Sequence, residues 1–318
     1  MFIQVFFLLL GLGLLTLGAD RMVDGASALA KKHNISELVI GLTIVAFGTS
    51  APELVVNTIA SFQNHKDIVF GNIIGSNMFN LFMILGVAGL ITPLAVQSGI
   101  VWKEIPLSFF GIIMLFILAN DFSGRHAHIL TRTDGFILLI MFLLFLIYMY
   151  NQLKTRTDTP EIKLKTHSNL KLWTFILLGL AGMVVGGKLV VTNAILMATT
   201  LGVSEKIIAM TIVAAGTSLP ELATSVVATI KKNIDLAVGN VIGSNIFNIF
   251  LILSVSSLVR PIPYDVLFNR DLYLLACGTI FLFIAMFTGY RKKLDRWEAG
   301  ILLVSFIVYM GYLIETAK

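Results

Sequence analysis

The sequence predicts an all-α membrane protein: ten transmembrane helices in two inverted five-helix repeats. Three observations predict it. Of 318 residues, 57% are hydrophobic and only 13% charged, about half the charged share of an ordinary soluble domain. Mean hydropathy is +0.91, and a soluble chain of this size cannot hide so much apolar surface. Apolar runs of about 20 residues, the length that crosses a hydrocarbon core about 30 Å thick, recur along the chain. One polar-rich block also occurs twice. These features exclude an ordinary soluble enzyme, a disordered chain and a secreted disulfide scaffold, the last because Cys277 has no second cysteine to pair with. The net charge of +5 does not read as nucleic-acid binding, because the basic residues sit in short clusters between apolar runs.

The ten spans are expected near 2–29, 38–61, 68–91, 104–119, 134–151, 170–199, 206–230, 236–259, 271–290 and 297–314. The first lacks a basic leader and an obvious cleavage site, so it is read as a span and not a signal peptide. With the N-terminus outside, the inner loops carry 14 Lys and Arg residues and the outer loops with the C-terminal tail carry 7. Lysine and arginine favour the cytoplasmic side. The sequence is therefore read as a multi-pass protein of the inner (cytoplasmic) membrane with both termini extracytoplasmic. The first repeat covers 1–151, a cytoplasmic linker 152–169, and the second repeat 170–318; the linker has room for a connection and not for a regulatory domain.

The repeat has a constant offset of 168 residues. GLTIVAFGTSAPEL at 41–54 returns as AMTIVAAGTSLPEL at 209–222, and GNIIGSNMFN at 71–80 returns as GNVIGSNIFN at 239–248. Residues 41–80 and 209–248 are identical at 20 of 40 positions without a gap. The matches include Gly, Thr, Ser, Pro, Glu and Asn, which shared apolar composition would not produce. Five spans per half is an odd number, so the halves are expected in opposite orientations, a recurrent plan of secondary transporters with the site near the midplane. A purely structural pseudo-symmetric bundle is the bland alternative, and the polar content of the repeat argues against it.

Glu53 and Glu221 fall near the centres of the second and seventh spans. A carboxylate at that depth costs several kcal/mol unless paired, protonated or bound to a cation, and neither repeat block offers a nearby Lys or Arg. Their neighbours carry oxygen: Thr49, Ser50, Thr217 and Ser218. The third and eighth spans add Ser76 with Asn80 and Ser244 with Asn248, pairs four apart that share a helix face; Asn72 and Asn240 extend that face. Pro52 and Pro220 lack an N–H, which takes the Gly48 and Gly216 carbonyls out of helical bonding. Carboxylates, hydroxyls, amide oxygens and carbonyls make an all-oxygen shell that suits hard cations, Ca2+ above all, and lacks the His and Cys of a softer metal site.

Other polar residues have structural readings. Gly71–Gly75 and Gly239–Gly243 have the spacing of close helix packing. Asp67 and Asp235 are read as helix N-caps. Asp20, Arg21 and Asp24 are expected to pair with each other or face water, and Lys188 to snorkel. The five histidines fall in loops.

The motifs GTSAPEL with GNIIGSNMFN and GTSLPEL with GNVIGSNIFN resemble the paired α-repeats of the sodium/calcium exchangers, within the cation/Ca2+ exchanger superfamily. Length and the 5+5 layout resemble its compact prokaryotic members. The resemblance implies an ion core on the second, third, seventh and eighth spans, with the first and sixth as long gating helices sliding over it. It implies Ca2+ held by Glu53 and Glu221 with the Thr49 and Thr217 carbonyls. It also implies Na+ sites drawing on Ala46, Ser50, Ser76, Asn80, Ala214, Ser218, Ser244 and Asn248 together with the same glutamates, the alanines through backbone oxygen. Some family members, K+-dependent ones especially, carry Asp where this chain has Asn248, so K+-independent transport is expected here.

The functional expectation is an antiporter exchanging Na+ for Ca2+ by alternating access, with no cofactor, the ions and the bilayer as partners, no nucleic acid, and a monomer as the working unit. The alternative is a Ca2+/H+ or other cation/proton antiporter using the same glutamates, since a buried Glu can carry protons; the GNxxE-type core usual in such proteins is absent. A cation channel would show flux without coupling to a gradient. An intramembrane hydrolase is disfavoured, because neither motif contains a His or Lys base.

Overall fold

A computed structural model describes residues 2–120, 128–154, 168–201, 214–288 and 292–316. Most of the linker lies outside the described residues, as do 202–213 at the start of the expected seventh span and the basic residues Arg125, Arg156, Lys163, Lys165, Lys206, Arg291 and Lys318.

The described chain is nearly all helical. In order it comprises α1 (Phe2–Lys32), α2 (Glu37–Thr49), α3 (Ala51–Phe62), α4 (Lys66–Ile91), β1 (Leu94–Ala95), α5 (Ile100–Asn120), β2 (Ile129–Leu130), α6 (Arg132–Lys154) and α7 (Asn169–Thr200). A short turn at Ala214–Gly216 precedes α8 (Leu219–Ile230), α9 (Ile234–Val259), β3 (Ile262–Pro263), α10 (Phe268–Ala285), β4 (Lys293–Leu294) and α11 (Arg296–Thr316). Among the described residues eight helices are long and apolar enough to cross a bilayer, and the bent pair α2–α3 makes a ninth; α8 is a shorter apolar helix. Helix starts follow local chemistry where a side chain can reach back. The Ser36 hydroxyl accepts from the Val39 N–H at 3.3 Å and that of Ser168 from the Lys171 N–H at 3.3 Å, each satisfying a donor that the first turn leaves without a helical partner.

The strands are two short antiparallel pairs, β1 with β4 and β2 with β3. Each joins a loop of the first half to a loop of the second. Burial sorts the helices: the apolar windows of α9 and α4 are 94% and 78% buried, against 22% for α1 and 17% for α11. The centre is thus α4 and α9, packed around by α5, α6, α10 and α11 in one large apolar core. A second core lies between the α1–α7 pair and the α2–α8 side of the centre, with Met22, Val23, Ile176 and Met183 meeting Ile40, Val45 and Ala228.

α1 and α7 cross at glycine. A Cβ on Gly11 would lie 2.7 Å from the Gly186 carbonyl oxygen and one on Gly186 2.7 Å from that of Gly11; Gly18 and Gly179 meet in the same way at 2.6 Å. Such distances leave no room for any side chain, so the backbones touch, as small residues permit between membrane helices. The two contacts exchange under the offset of 168.

Two structural readings change. Asp67 and Asp235 sit inside the first turns of α4 and α9, which are preceded by His65 and Asn233 at the cap positions; the Asp235 carboxylate accepts instead from Gln97 at 2.6 Å. Asp20 and Asp24 do not pair with Arg21. Both accept from Lys231, each at 2.7 Å, while Arg21 lies over the Phe175 ring at 5.8 Å. Close packing holds for Gly239 and Gly243, against which α2 lies so near that a Cβ would meet Leu38 O at 2.9 Å and Ala46 Cβ at 2.8 Å. The segment equivalent to α2, which would meet Gly71 and Gly75, falls mostly in 202–213 and lies outside the described residues. Lys188 is exposed on α7.

Candidate ion-binding core

The site begins with two broken helices. At Ser50 the backbone leaves the helix (φ −83°, ψ 5°) and α2 and α3 diverge by 46°. Ser218 repeats this conformation (φ −89°, ψ 8°) before α8. Pro52 and Pro220 fall in the first turn after each break, where a missing N–H costs nothing. The Gly48 carbonyl, which Pro52 cannot serve, is approached by the Ser50 N–H two residues on. The breaks turn Glu53 and Glu221 inward at the start of α3 and α8, and each is 1% exposed.

α4 and α9 supply the facing side chains. Both loosen into π-helical turns at the motif's end, over Phe79–Ile84 and Asn248–Ile252, the kind of local widening that gathers at functional sites. Ser76, Asn80, Ser244 and Asn248 are each at most 1% exposed.

The hydrogen bonds cross between the halves reciprocally. Ser50 donates to Glu221 Oε1 at 2.9 Å and Ser218 to Glu53 Oε1 at 3.3 Å. Thr49 donates to Asn240 Oδ1 and Thr217 to Asn72 Oδ1, both at 3.1 Å. Asn80 donates to Asn245 Oδ1 at 3.0 Å and Asn248 to Asn77 Oδ1 at 2.9 Å. Every one of these bonds becomes its counterpart when 168 is added to or subtracted from its residue numbers. Ser244 adds a 3.5 Å contact to Glu221 Oε1.

This wiring fixes which atoms remain for a ligand. A serine that gives its proton to a carboxylate keeps its lone pairs, and an asparagine whose amide nitrogen is spent turns its carbonyl oxygen elsewhere. Glu53 Oε2, Glu221 Oε2, Asn80 Oδ1, Asn248 Oδ1 and Ser76 Oγ are buried with no hydrogen-bond partner. Buried oxygens without partners are costly, and all five are of the hard type that coordinates Na+ or Ca2+. Among the described residues no Lys or Arg forms an ion pair with either glutamate, and no cluster of three His, Cys, Asp or Glu offers a transition-metal site.

Hydrogen bonds link Ser50 and Ser244 to Glu221 and Ser218 to Glu53, Thr49 and Thr217 join Asn240 and Asn72 across the halves, and Ser76, Asn80 and Asn248 are buried on α4 and α9. The remaining expected ligands, Ala46 and Ala214, lie just before the two breaks. The Ala46 carbonyl accepts the Ser50 N–H at 3.0 Å, which leaves one of its lone pairs free. Ala214 begins the short turn before the second break. Sequence reasoning missed Asn77 and Asn245, which aim Asn248 and Asn80. It also missed Asn57, fully buried and donating to the Glu53 carbonyl at 2.7 Å, and its counterpart Ser225, which accepts from Asn240 at 3.0 Å.

Fold and core together define a multi-pass helical membrane transporter of ions. A family model described as sodium/calcium exchanger protein matches residues 3–151 and 171–315. The putative antiporter CaxA of Alkalimonas amylolytica is 38% identical over 99% of this chain and 100% of its own. The sodium/calcium exchanger MaX1 of Methanosarcina acetivorans is 32% identical over 95% of this chain and 96% of its own. A solved structure of the sodium-calcium exchanger NCX_Mj superposes with a TM-score of 0.82 at 34% identity, covering 98% of each chain. The chain belongs to the sodium/calcium exchanger family.

Proposed function

We propose that this protein is a secondary active antiporter that exchanges Na+ for Ca2+ by alternating access. Both ions would use one midplane site built on Glu53 and Glu221, completed by Thr49, Ser50, Ser76, Asn80, Thr217, Ser218, Ser244 and Asn248. The carrying observation is the reciprocal wiring: each glutamate accepts from the serine beside the other, and each keeps one buried oxygen without a partner. Shared ligands make Ca2+ and Na+ mutually exclusive. Bound cations neutralise the acids and permit the change of orientation, whereas two bare carboxylates in an apolar interior would resist it. That resistance enforces exchange over leak. Relatives support the choice of ions: MaX1 is named a sodium/calcium exchanger, and NCX_Mj has been solved after soaking with Na+ and Ca2+ or Sr2+.

The architecture we infer is ten spans in two inverted halves, 1–151 and 170–318, joined by a cytoplasmic linker, with both termini extracytoplasmic and the monomer as the working unit. The strand pairs support the inversion. Among the described residues β1 and β2 are separated by α5, a helix about 30 Å long, with β1 before its start and β2 beyond its end. β3, the equivalent of β1 under the offset, pairs with β2. This pairing supports a placement of equivalent segments at opposite faces.

The test is radioactive Ca2+ flux in proteoliposomes with Na+, K+ and pH gradients imposed separately. An outward Na+ gradient should drive uptake without added K+, and Glu53→Gln or Glu221→Gln should each abolish it. Full activity in either variant would refute the site. Uptake driven by a pH gradient in Na+-free buffer would replace Na+ with protons as the coupling ion.

A further inference from the structure

The corner between α8 and α9 is tied to α1 by side chains. The Lys231 ammonium lies 2.7 Å from Asp20 Oδ1 and 2.7 Å from Asp24 Oδ1, and it donates to the Asp20 carbonyl at 3.1 Å. Two residues on, the Asn233 amide donates to Ser27 Oγ at 2.7 Å. Asp20, Asp24 and Ser27 follow one another along one face of α1. The corner itself is firmly built. The Lys231, Lys232 and Asn233 N–H groups donate to the Val227, Thr229 and Ala228 carbonyls, and Lys232 takes the left-handed conformation at φ 63°.

The first half builds the same corner with different side chains. Gln63, Asn64 and His65 donate to the Ile59, Ser61 and Ala60 carbonyls, and Asn64 has φ 63°. Under the offset of 168, Gln63 stands for Lys231 and His65 for Asn233, while Lys188, Thr192 and Ile195 on α7 stand for Asp20, Asp24 and Ser27. That set contains no carboxylate, so it can form no ion pair. The helices differ in the same sense. Among the described residues α1 packs along α8, whereas α7 does not pack along α3. Val55 and Ile59 of α3 are 57% and 51% exposed, where their counterparts Ala223 and Val227 pack partly buried against the second core. The backbone of the corner is doubled and its ion pairs are not.

We propose that Lys231 is a one-sided latch of the transport cycle. This rests on the alternating access proposed above, in which the two halves exchange arrangements and α7 comes onto α3 as α1 leaves α8. Both ion pairs of Lys231 must break before α1 can leave. None forms in return, because Lys188 and Thr192 then meet Gln63. The arrangement with α1 on α8 is therefore favoured. With the 231–233 corner in the cytoplasm, it is the arrangement closed along α8 on the cytoplasmic side.

The test reads the arrangement and not the flux. Cysteines are introduced as His65→Cys and Ile195→Cys, the counterparts of Asn233 and Ser27, in a chain carrying Cys277→Ala, and the protein in proteoliposomes is treated with a short bis-maleimide. Cross-linking should be slow with Lys231 in place. Lys231→Gln should speed it about threefold to tenfold, the scale of two partly exposed ion pairs, and Lys231→Arg should leave it slow. Gln63→Lys with Lys188→Asp and Thr192→Asp rebuilds the latch on the other side and should speed cross-linking even with Lys231 present. Equal rates with Lys231 and with Lys231→Gln would overturn the latch alone, as would equal acceleration by the arginine and glutamine variants. No cross-link in any of these chains would overturn the latch together with the exchange of arrangements on which it rests.

Discussion

Asn245→Ala is the sharpest test of how the core is aimed. Asn245 is not counted among the ion ligands, yet it accepts from Asn80 at 3.0 Å and donates to the Asn77 carbonyl at 3.4 Å. Truncation strands the Asn80 amide nitrogen where Asn80 is 1% exposed, so water cannot replace the lost acceptor. That should cost roughly 1–3 kcal/mol of stability. With its nitrogen unanchored, the buried Asn80 Oδ1 is no longer held in one orientation, and groups that orient a metal ligand typically change affinity 10–100-fold. Asn77→Ala strands the Asn248 nitrogen in the same way and should give a similar loss. The assay pairs the ion-concentration dependence of flux with the Ca2+-dependent shift in thermal unfolding. Asn80→Ala combined with Asn245→Ala should be little worse than Asn80→Ala alone, because both act through one oxygen. Lower thermal stability with unchanged ion affinity, or fully additive losses, would refute the reasoning and leave Asn245 as interhelical glue.

Two further outcomes follow from the α1–α7 side. Gly18→Ala and Gly179→Ala each place a Cβ 2.6 Å from a carbonyl oxygen of the partner helix; both should force the helices apart and slow exchange to a similar degree while the central core keeps its Ca2+ affinity, and normal rates would show that the crossing is not tight in the membrane. Lys231→Met removes the cation that ties Asp20 and Asp24 of α1 to the turn after α8, so hydrogen exchange in residues 20–30 should quicken, and unchanged exchange would dismiss the tie. Partial burial pulls the Lys231 ammonium down, but the hydrogen bonds to Asp20 and Asp24 outweigh it and hold the group above the ordinary lysine value. Its contribution is therefore complete below about pH 10.4 and is lost only as pH rises through the raised value, so the effect of the variant should be flat from pH 6 to 9.

Much of the core was legible because its chemistry is local and doubled. Proline after a Gly-Thr-Ser run marks a helix break wherever it occurs, and a glutamate beside it in an apolar span has no bland explanation. The Ser76–Asn80 spacing of four names a helix face without coordinates. What was not legible is what depends on the other half. Asn77 stands about 100° around the helix from Ser76, off the face that points to the glutamates, so a face rule sets it aside; its partner is Asn248, across the boundary between repeats. The signal was present in both copies of the motif, since each asparagine follows its serine directly. Lys231 could not be matched to Asp20 and Asp24, which are more than 200 residues away in sequence.

A set of bonds that maps onto itself under a single shift along the chain has the form of a contact between identical subunits across a two-fold axis. Two copies of an unduplicated half, inserted in opposite directions, would make the serine–glutamate, threonine–asparagine and asparagine–asparagine bonds without any new residue. Fusion of two such genes changes what selection can do, since each position then exists in a version that mutates alone. Asn57 and Ser225 record one such departure. In the second half Asn240 reaches both Ser225 and, at 3.4 Å, the Glu221 carbonyl. In the first, Asn57 has taken over the Glu53 carbonyl, and Asn72 is left with its buried amide nitrogen unpartnered. An ancestral homodimer would have had to accept that change twice, once on each side of its axis; the fused chain carries it once and is free to treat its two glutamates differently.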